Sequence, residues 1–241
     1  MYKKKSLGQH FLKNPYYLGL VADAAGIAAG EVVLEIGPGD GALTAVLLER
    51  GARVVAVEKD SRLIPVLKEK FTGKNFEVIE QDALGYEPKF KTYKVVGNIP
   101  YYITGALFKK FLTAKRQPST VVFLTQKEVA ARIARSKKES ILSLSVKAYG
   151  EPRYIKTVPR GAFAPPPKVD SGIIKISGIS RDNFKNAAHE KRFFELVRAG
   201  FGKKRKLLKN NLKKFLGAKA EALGTARAED IHLAQWLILS E

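Results

Sequence analysis

The sequence predicts an α/β protein: an open parallel sheet covered by helices on both faces, followed by a small all-helical domain. Three observations carry that expectation. From about Glu31 to Gln126, short Val- and Ile-rich runs alternate with helical patterns, the βαβ rhythm of a parallel sheet. Residues suited to ligand binding fall directly after those runs, where open α/β sheets hold their ligands. Beyond Ser177 to Asp182, only the three-and-four apolar spacing of helices remains.

In order, Val32 to Ile36 reads as a strand, Ala42 to Arg50 as a helix, Arg53 to Val57 as a strand and Ser61 to Phe71 as a helix. Strands are expected at Phe76 to Ile79 and Lys94 to Val96, a helix at Thr104 to Phe111 and a strand at Thr120 to Thr125. A helix at Ser140 to Tyr149 then leads into a strand at Arg153 to Val158. The stretch Gly161 to Pro167 ends in three prolines that cannot donate backbone hydrogen bonds, so it is expected as a stiff, extended lip at the sheet edge. Val169 to Ile176 reads as the second arm of a hairpin. Helices at His189 to Gly200, Arg205 to Leu216 and Glu229 to Leu239 complete the chain. The domains are expected over 1–180 and 181–241.

Composition narrows the function. At 241 residues and 45% hydrophobic, the chain supplies a real core. No run of about eighteen apolar residues exists, and the basic start lacks the apolar run of a signal peptide, which points to a cytoplasmic protein. With no cysteine, disulfides, thiolate zinc sites and cysteine nucleophiles drop out together. His10, His189 and His232 are scattered, so no metal is assigned. A formal charge of +20 spread along the whole chain points to a polyanion, and nucleic acid fits that spread better than a membrane surface.

The segment Glu35-Ile36-Gly37-Pro38-Gly39-Asp40-Gly41 puts three glycines between a strand and a helix, which lets backbone approach a ligand. The third glycine comes one residue early for the dinucleotide fingerprint, and Pro38 and Asp40 suit a double phosphate poorly. S-adenosylmethionine is favoured over NAD. Glu58 closes a strand where a carboxylate can accept from both ribose hydroxyls, or it is a first-turn acid of the next helix. Asp82 can accept from an adenine amino group with Ala83 and Leu84 beside the ring, or it is a solvated turn acid.

Asn98-Ile99-Pro100-Tyr101-Tyr102 follows another strand and suits a flat, amine-bearing ring. The Asn98 side-chain carbonyl and a backbone carbonyl beside the proline offer two acceptors for an exocyclic NH2. Pulling on both N–H bonds localises the nitrogen lone pair and makes the amine nucleophilic without a strong base. Tyr101 on one face and Phe163 on the other are the candidate walls for a base withdrawn from its stack. A plain turn at Asn98 and a plain core role for Phe163 are the alternatives.

Four motifs in order resemble the ribosomal RNA adenine dimethyltransferases: Gly8-Gln9-His10-Phe11-Leu12, Glu35-Ile36-Gly37-Pro38-Gly39, Asn98-Ile99-Pro100-Tyr101-Tyr102, and Phe163 through Ser171. Phe201 to Leu212, with Lys209-Asn210-Asn211-Leu212, is similar to the branch that acts on small-subunit RNA, and Tyr102 favours that branch too. The resemblance spans essentially the whole chain. It implies a class I, Rossmann-like methyltransferase fold whose seven-stranded, mostly parallel sheet has an antiparallel last strand, plus a C-terminal helical domain. It also implies cofactor contacts at His10, Leu12, Gly37, Glu58, Asp82 and Asn98, although the family often has Asn where His10 stands. The implied product is N6,N6-dimethyladenosine at two adjacent adenosines in the 3'-terminal hairpin of small-subunit RNA, made during subunit assembly.

Lys203, Lys204, Arg205, Lys206 and Lys209 form an acid-free basic run whose outward face suits RNA phosphates. Lys3, Lys4 and Lys5 either extend that surface or form a basic tail. A monomer is expected. Two rivals stay open: a large-subunit RNA adenine methyltransferase of the resistance type, and a non-catalytic RNA-binding protein on the same scaffold.

Overall fold

Runs of Val and Ile become strands here because both sheet faces are covered, so alternate residues can all be apolar. The computed structural model describes residues 10–203 and 205–241. The sequence readings at Lys3, Lys4, Lys5, Gly8, Gln9 and Lys204 lie outside the described residues.

The chain begins with β1 (Phe11–Leu12), α1 (Pro15–Ala25), β2 (Val32–Ile36), α2 (Ala42–Glu49), β3 (Arg53–Glu58) and α3 (Leu63–Lys70). It continues through β4 (Phe76–Glu80), β5 (Lys94–Asn98), α4 (Thr104–Leu112), β6 (Thr120–Gln126), α5 (Lys127–Ala134) and α6 (Ile141–Lys147). Then come β7 (Glu151–Val158), β8 (Phe163–Ala164), β9 (Ser171–Ser177), α7 (Ala187–Phe201), α8 (Leu208–Leu216) and α9 (Leu233–Leu239). Seven strands form one sheet in the order β4-β3-β2-β5-β6-β9-β7. Only β9 runs antiparallel to its neighbours in that sheet. This is the seven-stranded, mostly parallel arrangement that the resemblance implies.

Strand order reverses at β2, which pairs with β3 on one side and β5 on the other, with Ile36 opposite both Val57 and Gly97. The connections leave that point in opposite directions, so a crevice opens at the carboxyl ends of β2 and β5. Leu34, Val55, Val95 and Val121 point into one core, and Val33, Val54, Val96 and Val122 into the other. Each such side chain contributes roughly 1.5–3 kcal/mol on burial. The first core continues without a break into Phe193, Leu196, Leu208, Leu212 and Trp236, so the C-terminal helices pack onto the sheet's own hydrophobic cluster.

Several elements depart from the sequence reading. Helix α1 was not expected, yet Asn14 accepts from the Tyr16 amide, Pro15 occupies the first turn and Leu18, Val21, Ala22 and Ala25 are buried. Helix α5 was also missed, because Ala130 and Ile133 alone make its buried face. The proline-rich stretch is not only a lip: its Phe163 and Ala164 pair with Leu12 and Phe11 in a two-stranded ribbon. Helix α8 starts at Leu208 rather than Arg205, since cations oppose the positive end of a helix dipole. Lys206 instead closes a turn by donating its amide to the Lys203 carbonyl at 3.0 Å. The last predicted helix, Glu229 to Leu239, divides into a short 3-10 turn at Ala228–Asp230 and α9.

Candidate active site

A cavity of about 640 Å³ opens at the carboxyl ends of the parallel strands, and the N-terminal segment supplies His10 and the β1 residues Phe11 and Leu12 to its wall. His10, Leu12, Gly37, Gly39, Glu58, Asp82, Ala83, Asn98, Ile99, Pro100, Tyr101 and Phe163 all line it. Lys203, Arg205, Lys206 and Lys209 are not in its lining.

Gly37 and Gly39 both adopt left-handed backbone, with φ of 66° and 60°. A Cβ at Gly37 would meet nothing within 4 Å, so its backbone borders open space that a ligand can approach. A Cβ at Gly39 would stand 2.6 Å from the Phe11 ring, so this glycine lets the N-terminal segment lie on the turn. Lys13 ties the same segment down by pairing with Asp40.

Glu58 ends β3 only 6% exposed. Its carboxylate accepts from the amides of Lys59 and Asp60 at 2.8 Å and of Gly39 at 3.2 Å. Burial raises its pKa, and the amides of Asp60, Gly39 and Lys59 oppose the rise. Those bonds fix the carboxylate beside the glycine turn. Asp82 accepts from the Leu84 amide at 2.9 Å and pairs with the Lys59 ammonium at 2.7 Å. The Lys59 bond, then the Leu84 amide, hold Asp82 below the usual carboxylate range. The pair is well exposed and contributes little to stability.

Asn98 donates its Nδ2 to the His10 backbone carbonyl at 2.7 Å. The amide is thereby oriented, and its Oδ1 has no protein partner among the described residues. The Pro100 carbonyl accepts from the Ile103 amide at 3.2 Å and is committed to a turn. No hydrogen bond outside the sheet engages the Ile99 carbonyl among the described residues, which makes it the available backbone acceptor. Ile99 is 2% exposed and packs in the core, and it also borders the cavity.

The Tyr101 hydroxyl and Ser171 Oγ stand 2.7 Å apart, which pins the ring. Burial is the largest cause raising the Tyr101 pKa, so the phenol stays neutral. Phe163 is 5% exposed, packs in the core and also borders the cavity.

Sequence reasoning passed over Glu35, Lys59, Leu124 and Gln126, which also line the cavity. Glu35 is 1% exposed and accepts from the Thr44 hydroxyl at 2.6 Å. Burial pushes its pKa up to about 8. The signal in the sequence that could have found it is an acid inside the apolar run of β2.

The basic run divides as well. Lys203, Arg205 and Lys206 are exposed, whereas Lys209 pairs with Glu221 at 2.8 Å. Asn211 donates to the Gly200 carbonyl at 2.6 Å and braces the end of α7. Among the described residues, no helix is long and apolar enough to cross a membrane, and no group of three or more His, Asp or Glu is placed to hold a metal ion.

Fold and site together define a class I methyltransferase, with a glycine turn and a strand-end acid on one side of the cavity and an Asn-Ile-Pro-Tyr segment on the other. The model of the family described as ribosomal RNA adenine dimethylase matches residues 1–240, and the chain belongs to that family. A ribosomal RNA small subunit methyltransferase A from Dehalococcoides mccartyi (strain CBDB1) is 42% identical, over 97% of this chain and 86% of its own length. The protein of that name from Deinococcus radiodurans is 39% identical over 95% of this chain and 82% of its own. Among solved structures, a dimethyladenosine transferase from Plasmodium falciparum superposes with a TM-score of 0.83 at 29% identity, covering 95% of this chain and 96% of that one. The 23S rRNA methyltransferase ErmE gives a TM-score of 0.80 at 30% identity, covering 95% and 98%.

Proposed function

We propose that the chain uses S-adenosylmethionine to dimethylate N6 of two adjacent adenosines in the 3'-terminal hairpin of small-subunit ribosomal RNA, acting as a cytoplasmic monomer on an assembling subunit. The observation that carries this reading is the Asn98 amide, oriented by its Nδ2 bond to the His10 carbonyl, in a residue that lines the cavity together with Ile99.

The residues suit the cofactor chemically. Glu58 would hold the ribose hydroxyls, Asp82 the adenine amine, and Ala83 and Leu84 the adenine faces, with Gly37 and Gly39 admitting the chain at the turn. The bound cofactor supplies a methyl group on a sulfonium, which leaves as a neutral thioether. The protein's task is therefore to position and desolvate an amine rather than to stabilise a leaving anion. Asn98 Oδ1 and the Ile99 carbonyl accept the two N–H bonds and localise the nitrogen lone pair. Tyr101 and Phe163 hold the ring faces, and the neutral, Ser171-bound phenol does not act as a base. Each transfer leaves the nitrogen with one excess proton, which passes to water. A single N–H then remains after the first, so one acceptor gives up its partner to admit the second methyl.

The basic turn formed by Lys203, Arg205 and Lys206, within the helical unit 181–241, supplies phosphate contacts. The small-subunit assignment rests on relatives of that name at 39–42% identity, against 30% for the 23S enzyme. Labelled-methyl transfer to unmodified small and large subunits, followed by nucleoside analysis, tests it. N6,N6-dimethyladenosine in small-subunit RNA is expected, and label confined to large subunits overturns the reading.

A further inference from the structure

We propose that Tyr102 is a specificity-determining residue, stacking on the base that adjoins the methylated adenine in the RNA strand; this rests on the adenine reading of the cavity. Tyr101 to Ile103 form one 3-10 turn, in which successive side chains point about 120° apart. The turn therefore sends its two tyrosines to different places. Tyr101 is half-buried with its hydroxyl tied to Ser171, whereas Tyr102 is 72% exposed and still lines the cavity. Among the described residues its hydroxyl has no hydrogen-bond partner. Leu84, 39% exposed, contributes a second apolar side chain to the same cavity.

The backbone under Tyr102 is stiff. Pro100 fixes its own φ at −58°, and the Ile103 amide closes the turn onto the Pro100 carbonyl. With the backbone set, only the side-chain torsions of Tyr102 remain to be ordered on stacking. Drawing one adenine into the cavity strips its strand neighbour of a stacking partner, and the exposed aromatic ring of Tyr102 on the same cavity replaces that face. The geometry thus gives the two tyrosines separate tasks, one for the reacting base and one for its neighbour.

The test uses small subunits reconstituted around RNA that carries either the intact neighbouring base or an abasic ribose beside the target adenosine. Tyr102→Ala is expected to lower kcat/KM on intact RNA by about tenfold to a hundredfold. Tyr102→Phe keeps activity within about twofold, and cofactor affinity and thermal midpoint stay unchanged in both variants. The abasic ribose costs the unaltered protein a similar factor but costs Tyr102→Ala no more than about twofold, because both changes remove the same contact. Losses that multiply, or full activity of Tyr102→Ala, would overturn the assignment alone. Failure of the unaltered protein to methylate intact subunits would overturn the adenine reading and this assignment with it.

Discussion

The Asn98 side-chain amide and the His10 carbonyl meet at 2.7 Å, so a backbone atom of the N-terminal segment sets which way the acceptor amide faces. One bond thus couples the N-terminal segment to the Asn98 side of the cavity. Asn98→Ala removes the acceptor while leaving the glycine turn and Glu58 in place. Turnover is expected to fall by at least about 100-fold, the usual scale for losing one aligned polar group in a transition state. Cofactor and RNA affinity should change by only a few-fold. Calorimetric cofactor binding and single-turnover methylation separate the two effects, and undiminished turnover removes the mechanism.

Glu35 makes stability depend on pH. Burial, then repulsion from Glu58 and Asp40, lifts its carboxyl to about 8, with the Thr44 hydroxyl opposing. In the unfolded chain the group titrates near the ordinary value of about 4.3. Between those values the folded protein holds a proton that the unfolded chain has released, so this group's contribution falls as pH rises and levels off above about 8. Glu35→Gln keeps the shape and the Thr44 bond without the ionisation. Its gain in thermal midpoint over the parent should be small near pH 5, grow to pH 8 and then stay constant. A gain independent of pH would contradict the cause assigned here.

How much of this was legible in the sequence depends on how each residue acts. Strands β2, β3, β5 and β6 were readable because burial on both faces favours apolar runs, whereas the edge strand β4, Phe76–Glu80, showed itself by Phe76, Val78 and Ile79 among two acids. Gly37, Glu58 and Asn98 were readable as polar or small residues ending apolar runs, and Asp82 as an acid just past a strand. The pairing of β1 with β8 was not: two-residue strands carry no periodicity, and their partners lie far apart in the chain. His10 orients Asn98 through its carbonyl, which no side-chain identity announces. Lys209 reads as one more free cation until the fold brings Glu221 beside it.

The contact between Phe11 and Gly39 gives a sharper test of the N-terminal segment. Gly39→Ala places a side chain at φ 60°, costing roughly 1–2 kcal/mol, and its Cβ would sit 2.6 Å from the Phe11 ring. Displacing Phe11 also shifts the adjoining His10 carbonyl. Stability should drop by about that amount, and cofactor affinity by about tenfold. Trimming the ring with Phe11→Leu should restore part of the affinity to Gly39→Ala, leaving only the backbone cost. Strictly additive losses in the double variant would show that the two residues act independently.

Salt dependence distinguishes cations that meet RNA from those already engaged. Each phosphate contact contributes about 0.7 to 0.9 to the slope of log affinity against log salt. Lys206 is exposed and has no ion pair among the described residues, so Lys206→Ala should flatten the slope by about one such step. Lys209→Ala should leave the slope nearly unchanged, because Glu221 already holds that ammonium at 2.8 Å. Glu221→Gln then releases Lys209 toward the strand, and RNA binding should tighten with a steeper slope. Weaker binding by Glu221→Gln would mean that the pair braces α8 instead of withholding a cation from the RNA.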